Sequence, residues 1–236
     1  MTVVPSSPIV LALDACTEAC SVALWLEGRV LQQFEVTPRG HAQRLLPMVD
    51  VLLHEAGLER SAIDLIACGR GPGAFTGVRI SLAVAQGLAL ALDVPVAAMS
   101  TLAVLAEGTH RRLGTTSVAT ALDARMGEVY WGAFRRDEAT QSMVAEIEES
   151  VCAPGSVSLP PHWCDYAAAG SGWGVHRDAL IGALPTMPGT VDEQALPEAQ
   201  DMLRPALAML RAGDVCAAEA LAPVYLRDRV THQQGS

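Results

Sequence analysis

From Ile9 the chain opens with IVLALD, almost continuously apolar, followed by CSVALWLEG, where Val22, Leu24 and Leu26 alternate with Ala23, Trp25 and Glu27. The unbroken run predicts a central strand covered on both faces, and the alternation predicts a half-exposed antiparallel neighbour. After Gly28-Arg29, VLQQFEV predicts a third strand. In HAQRLLPMVDVLLHEAGL the apolar positions change to helical spacing, with Ala42, Leu45, Leu46, Val49, Leu52, Leu53 and Ala56 in one stripe and Gly57 as a natural stop. Pro47 inside that pattern predicts a kink or a helix start close to it. A short buried strand, IDLIACG, follows, then the glycine-rich RGPGAFTG, a long helix from about Val78 to Leu92, a strand entered at Pro95, and a helix over TLAVLAEGTHRRL.

The pattern then repeats. ALDACTEACSVALWLEGRVLQQFEV, from Ala12, has a counterpart in ALDARMGEVYWGAFRRDEATQSMVAEI, from Ala121. Both run strand, Asp-bearing turn, alternating strand, hairpin, third strand, so two related lobes are expected, residues 1–112 and 113–236. Beyond the second set the pattern weakens. The stretch from Cys152 to Pro161 predicts loop, YAAAGSGW a buried strand entering a turn, and EAQDMLRPALAMLRAG a helix with Pro205 inside it. A disordered tail is expected after Arg229. Two α/β lobes that each open with a three-strand antiparallel meander resemble the actin, Hsp70 and sugar-kinase superfamily. That likeness implies a nucleotide cleft between the two Asp-bearing turns, with Asp14, Thr17 and Asp123 in the corresponding positions.

Composition narrows the chemistry. Half of the 236 residues are apolar, enough for a sizeable core, and aromatics at 4 % leave Ala, Leu and Val to fill it. With a formal net charge of −10 the chain cannot neutralise phosphates over a broad surface, so a nucleic-acid substrate would be held mainly by something else. All sixteen basic residues are Arg, and neither Lys nor Asn occurs, which removes a Walker lysine and Schiff-base chemistry. The six cysteines show no Cys-x-x-Cys spacing. With no basic N-terminal region leading into an apolar run, and with Asp93 and Pro95 breaking the most apolar stretch, a cytoplasmic protein without a membrane span is expected.

RGPGAFTG admits two readings: a phosphate cradle at a helix N-terminus, or a plain strand-to-helix turn capped by Thr76. It is not a Walker loop, and Thr76 stands where a dinucleotide loop needs its third glycine. The helix after it has no polar face, and Ala83, Gly87 and Ala91 form a small-residue row at spacing four. Such a helix is buried on more than one side, against a helix of its own chain or against another chain. No His pair at spacing three or four and no Gly-x-Ser-x-Gly elbow occurs, so no catalytic residue and no metal ligand is assigned.

IVLALDACTEACSVALW, HAQRLLPMVDVLL, GRGPGAFTGVRISLAVAQGLALALDVPV, ALDARMGEVYW and the closing PVYLRD together resemble the TsaB (YeaZ) family, over nearly all of Ile9 to Asp228. The resemblance implies a non-catalytic partner of the related TsaD and of the ATPase TsaE in making N6-threonylcarbamoyladenosine (t6A) at position 37 of tRNAs that read codons starting with A. It implies no cofactor of its own, with ATP or ADP at most shared with TsaD, and contact with tRNA only through the complex. TsaD binds its metal through a His-x-x-x-His pair after Asp-Val-Pro, and registering on Asp93-Val94-Pro95 puts Thr101 and Leu105 at those positions. The family pairs through helices of its N-terminal lobe, which implies an interface at Leu45, Met48, Val49, Leu52, Ile80, Ala83, Val84, Gly87 and Ala91, and a homodimer when TsaD is absent. Two rivals stand beside this: a small ATPase or kinase using Asp14, Thr17 and Asp123, and a peptidase, for which no nucleophile–base arrangement is visible.

Overall fold

The structure, a computed structural model, describes residues 7–37 and 39–227; the tail expected after Arg229 lies outside them. The first sheet has the order β3-β2-β1-β4-β5, with β1 (Val10–Asp14), β2 (Ala19–Leu26), β3 (Arg29–Val36), β4 (Leu65–Gly69) and β5 (Val96–Met99). β1 pairs antiparallel with β2 and parallel with β4. The second sheet repeats this plan as β8-β7-β6-β10-β11, with β6 (Ser117–Arg125), β7 (Glu128–Asp137), β8 (Ser142–Ala145), β10 (Ala167–Ala169) and β11 (Thr190–Asp192). β9 (Ser150–Cys152) pairs with β7 and ends at Cys152, where the expected loop begins. The matching strand orders bear out the internal repeat, and the architecture is the actin-like two-lobed α/β fold.

Each sheet is sandwiched between helices. One face of the first carries α1 (His41–Ala56) and α2 (Phe75–Leu92), packed through Leu45, Met48, Val49, Leu52, Leu82 and Leu88 onto Leu11, Leu13, Val22 and Ile66. The other face carries α5 (Gln200–Ala212), through Met202, Leu203, Ala206 and Leu207 onto Val10, Ala12, Leu65 and Ala97. The second sheet is covered by α3 (Thr101–Leu113) on one face and by α4 (Ser171–Ala183), with Trp173 against Trp131, on the other. α4 was not foreseen: Gly170, Gly172 and Gly174 hide its pattern, and the first of these has φ +107° where Gly170 passes tightly over the Ala121 carbonyl.

Two expectations are corrected by the packing. The division after residue 112 fails because α5 returns to the first sheet while α3 belongs to the second, making the first lobe discontinuous. The two helices meet at the seam between lobes, where Arg111 donates to Asp201 at 2.6 Å beside Gly108. β2 is also not half-exposed. Ala19–Leu24 are fully buried because α1 covers one face and the entry to α5 the other, where Ala199 N–H donates to Ser21 Oγ at 2.8 Å.

α1 runs through Pro47, which sits on its exposed side, and stops at Gly57 in the left-handed region (φ 67°). α2 is 18 residues with mean hydropathy 1.5, long and apolar enough to cross a membrane by length and composition alone. Its Val78, Ser81, Leu82, Ala85, Leu88 and Ala89 are packed inward as the core helix of an α/β domain.

Candidate functional site

Asp14 ends β1 and is fully buried. Its Oδ1 accepts from the Cys16 N–H at 3.0 Å, while Oδ2 meets no donor; neither does the nearby element's buried Thr101 Oγ1. The glycine-rich loop accounts for the closure. A Cβ on Gly69 would stand 1.9 Å from Asp14 Oδ2, one on Gly73 2.1 Å from the Cys16 carbonyl oxygen, and one on Gly77 2.0 Å from that of Ala15. The Ala74 N–H donates to Cys16 O at 2.7 Å, so an amide that a phosphate would use is already taken by the chain's own turn. Of the two readings of RGPGAFTG the turn holds, with a correction: Ala74 is the N-cap, without a side-chain cap bond, and Thr76 lies inside the helix.

Burial pushes the Asp14 carboxyl from 3.8 up to about 6, with the Cys16 backbone N–H only partly opposing it. Because the folded value exceeds the unfolded one, the stability contributed by the protonated acid is full below the unfolded value of 3.8 and is lost as pH rises through about 6. Asp14→Asn keeps the Oδ1 acceptor and never ionises. The variant is expected to be more stable than the parent near pH 8, by about 3 kcal/mol as an upper figure, and to lose that advantage near pH 4. Urea unfolding at the two pH values measures it; an equal advantage at both would show that ionisation is not the cause.

The other two residues expected in a nucleotide cleft do not join Asp14. Thr17 Oγ1 accepts from Ala19 N–H at 3.2 Å within its own turn. Asp123 belongs to the second lobe's hairpin, where Oδ1 accepts from Arg125 N–H at 3.0 Å, His176 Nε2 lies 3.7 Å away, and the Asp123 N–H donates to Ser171 Oγ at 3.2 Å. The open cleft between the lobes, about 770 Å³, is lined by Glu18, Phe34, Val36, Ser171, Val175 and Glu193 among others, and by none of Asp14, Thr17 and Asp123. Among the described residues its charged lining is four carboxylates (Glu18, Asp192, Glu193, Glu198) against Arg112 alone. Thr101 and Leu105 are fully buried: Thr101 N–H donates to Gly71 O at 3.0 Å, and Leu105 packs beneath Gly170. Among the described residues no three His, Cys, Asp or Glu side chains gather as a metal site. Residues 223–227 strap the lobes, with Val224 N–H donating to Arg70 O at 3.0 Å and Arg227 paired with Glu128.

The outer face of α2 leaves small and apolar residues uncovered. Ala83, Gly87, Leu90 and Ala91 are exposed, Ile80 and Val84 are half-buried, and a Cβ on Gly87 would meet nothing within 4 Å. At the helix start Phe75, 66 % exposed, lies under the Arg79 guanidinium with Tyr225 beside it. Leu45, Met48, Val49 and Leu52 are a correction: they are buried against β2 and the rest of the first core, and cannot reach a partner. α1 instead turns outward Leu46 and Val51, 41 % and 50 % exposed. Of the stripe that marked α1 as a helix, Leu45, Val49, Leu52 and Leu53 form the core face, while Ala42 and Leu46 lie on the exposed side.

The chain matches the family model of TsaD, tRNA N6-adenosine threonylcarbamoyltransferase, over residues 33–234. It is 44 % identical to the tRNA threonylcarbamoyladenosine biosynthesis protein TsaB of Escherichia coli over 94 % of this chain and 95 % of that one. It is 37 % identical to the protein of the same name from Haemophilus influenzae, over 94 % of each. Among solved structures, YeaZ from Pseudomonas aeruginosa superimposes with a TM-score of 0.87 at 49 % identity, covering 93 % of this chain and all of that one.

Proposed function

Because the chain belongs to the TsaB family and takes part in tRNA threonylcarbamoyladenosine biosynthesis, we propose that its part there is that of a non-catalytic scaffold that pairs with TsaD and recruits TsaE. The observation that carries this reading is the uncovered outer face of α2. Its small-residue row, Ala83, Gly87 and Ala91, lets another helix approach closely, and Ile80, Val84 and Leu90 border it with apolar surface. The same face is self-complementary across a two-fold axis, so the chain forms a homodimer where TsaD is lacking. In this reading it carries no cofactor of its own, and ATP or ADP is held jointly with TsaD. Support comes from the sealed Asp14 turn and from Thr101 and Leu105, which supply no imidazole. Contact with tRNA at position 37 comes through the complex.

The test is t6A formation on a tRNA transcript with TsaD, TsaE, threonylcarbamoyl-adenylate and ATP, with and without this chain. Product is expected only when the chain and TsaD are both present. The chain alone is expected to turn over no ATP, and Asp123→Asn to leave product formation unchanged. Full product without the chain, or ATP turnover by it that Asp14→Asn abolishes, would replace the scaffold with an active ATPase.

A further inference from the structure

The geometry points to a second docking surface: the open edge of β3, where it borders the interlobe cleft, takes an extended cationic segment of a partner protein as an added strand. β3 ends the first sheet, so among the described residues one side of it has no neighbouring strand. The Thr37 N–H donates to Glu18 O at 2.8 Å, which fixes the alternation of the ladder. Along the paired register, Glu35, Gln33, Leu31 and Arg29 turn their main chain toward β2. Val30, Gln32, Phe34 and Val36 therefore turn their N–H and C=O groups outward. Natural sheets guard such an edge with charge, proline or a covering element. Here the outward positions include Val30, Phe34 and Val36, which are 42 %, 40 % and 58 % exposed.

The side chains of these alternate residues share one face. Gln32 donates to Glu198 at 2.8 Å at the entry to α5, and Phe34 and Val36 line the cleft. Opposite them stand Val175 of α4, 60 % exposed, and the carboxylates of Asp192 and Glu193. The single guanidinium of the lining, Arg112, is engaged with Asp192 at 3.3 Å and Glu198 at 3.5 Å. Glu193 has one distant partner, Arg177 at 3.7 Å, and Glu18 has no ion pair among the described residues. This field repels a polyphosphate and attracts a cation. An occupant that satisfies all of it is a strand whose main chain bonds Phe34 and Val36, with Arg or Lys toward Glu18 and Glu193 and apolar residues between. The groove opens on the α5 face of the first sheet and α2 covers the other, so both surfaces can be occupied at once, and the groove does not depend on the scaffold reading.

The probe is a fluorescein-labelled, end-blocked nonapeptide of alternating arginine and valine, with its glutamate–valine counterpart as control, titrated by anisotropy. Saturable binding of the arginine peptide alone is expected, with slowed hydrogen exchange at the Phe34 and Val36 amides. Val36→Pro removes an outward N–H and no bond to β2, and is expected to keep the parent's thermal melt while losing at least about tenfold in affinity. Glu18→Arg combined with Glu193→Arg is expected to do the same and to bind the acidic peptide instead. No saturation at millimolar peptide, equal binding by the variants, or binding without slowed exchange at β3 would overturn the proposal.

Discussion

Gly87→Arg is expected to abolish pairing with TsaD while leaving the chain itself as stable as before or slightly more so. The two halves of that expectation have separate causes. A Cβ at Gly87 meets nothing within 4 Å, so nothing in the monomer resists a side chain there. Replacing a helix-interior glycine also removes backbone entropy, worth up to about 1 kcal/mol. In an assembled state, however, Gly87 is the centre of the Ala83–Gly87–Ala91 row across which a second helix packs. A guanidinium there holds the helices apart and desolvates without a partner. The dissociation constant for TsaD is expected to rise by at least about a hundredfold, close to 3 kcal/mol, and t6A formation to fall with it. Gly155→Arg is the control, since Gly155 is equally open but lies in the second lobe. Size-exclusion chromatography with TsaD, beside a thermal melt, reads both halves. Normal assembly of Gly87→Arg would remove α2 from the interface, and a lowered melt would mean that the face is not free.

What the sequence could and could not reveal follows from what each element packs against. β1, β3, β4 and α1 to α3 were legible because their patterns are local: an unbroken apolar run, a stripe at helical spacing, a glycine at a stop. The same locality misled at Leu45, Met48, Val49 and Leu52. A helical stripe identifies an apolar face, and on an amphipathic helix that face belongs mostly to its own core; α2, apolar nearly all round, had more surface left for a partner. The lobe boundary failed for the opposite reason. No local feature of QDMLRPALAMLRA says that its apolar side lies on Val10 and Ala67, in strands met well over a hundred residues earlier. The aspartates were found at matching places in the repeat, but position did not reveal state. That Asp14 is sealed, and Asp123 tied within its own hairpin, depends on how close Gly69, Gly73 and Gly77 bring one backbone to another.

Those glycines give the larger effect on the fold itself. Gly77→Ala is expected to destabilise the chain by about 3 kcal/mol or more, lowering its melting temperature by roughly 6–12 °C. The added methyl would stand 2.0 Å from the Ala15 carbonyl oxygen and 3.2 Å from its carbon, backbone against backbone, where no side chain can swing aside. α2 must move off the turn that follows β1, which strains the Ala74–Cys16 hydrogen bond and opens the pocket around Asp14. Gly87→Ala, the same change ten residues along the same helix, meets open space and is expected to be neutral or stabilising. Helix propensity favours alanine equally at both positions, so the difference between the two melts isolates the close approach. The pH dependence supplies a further discriminant. If the displaced helix admits water to Asp14, its carboxyl moves back from about 6 toward its ordinary range, and the loss of stability between pH 4 and 6 shrinks in Gly77→Ala. A full-sized pH effect in a destabilised variant would mean that the helix yields elsewhere and that the loop still clamps the turn. Unchanged stability would mean that the close approach of α2 to Ala15 is not what holds that turn shut.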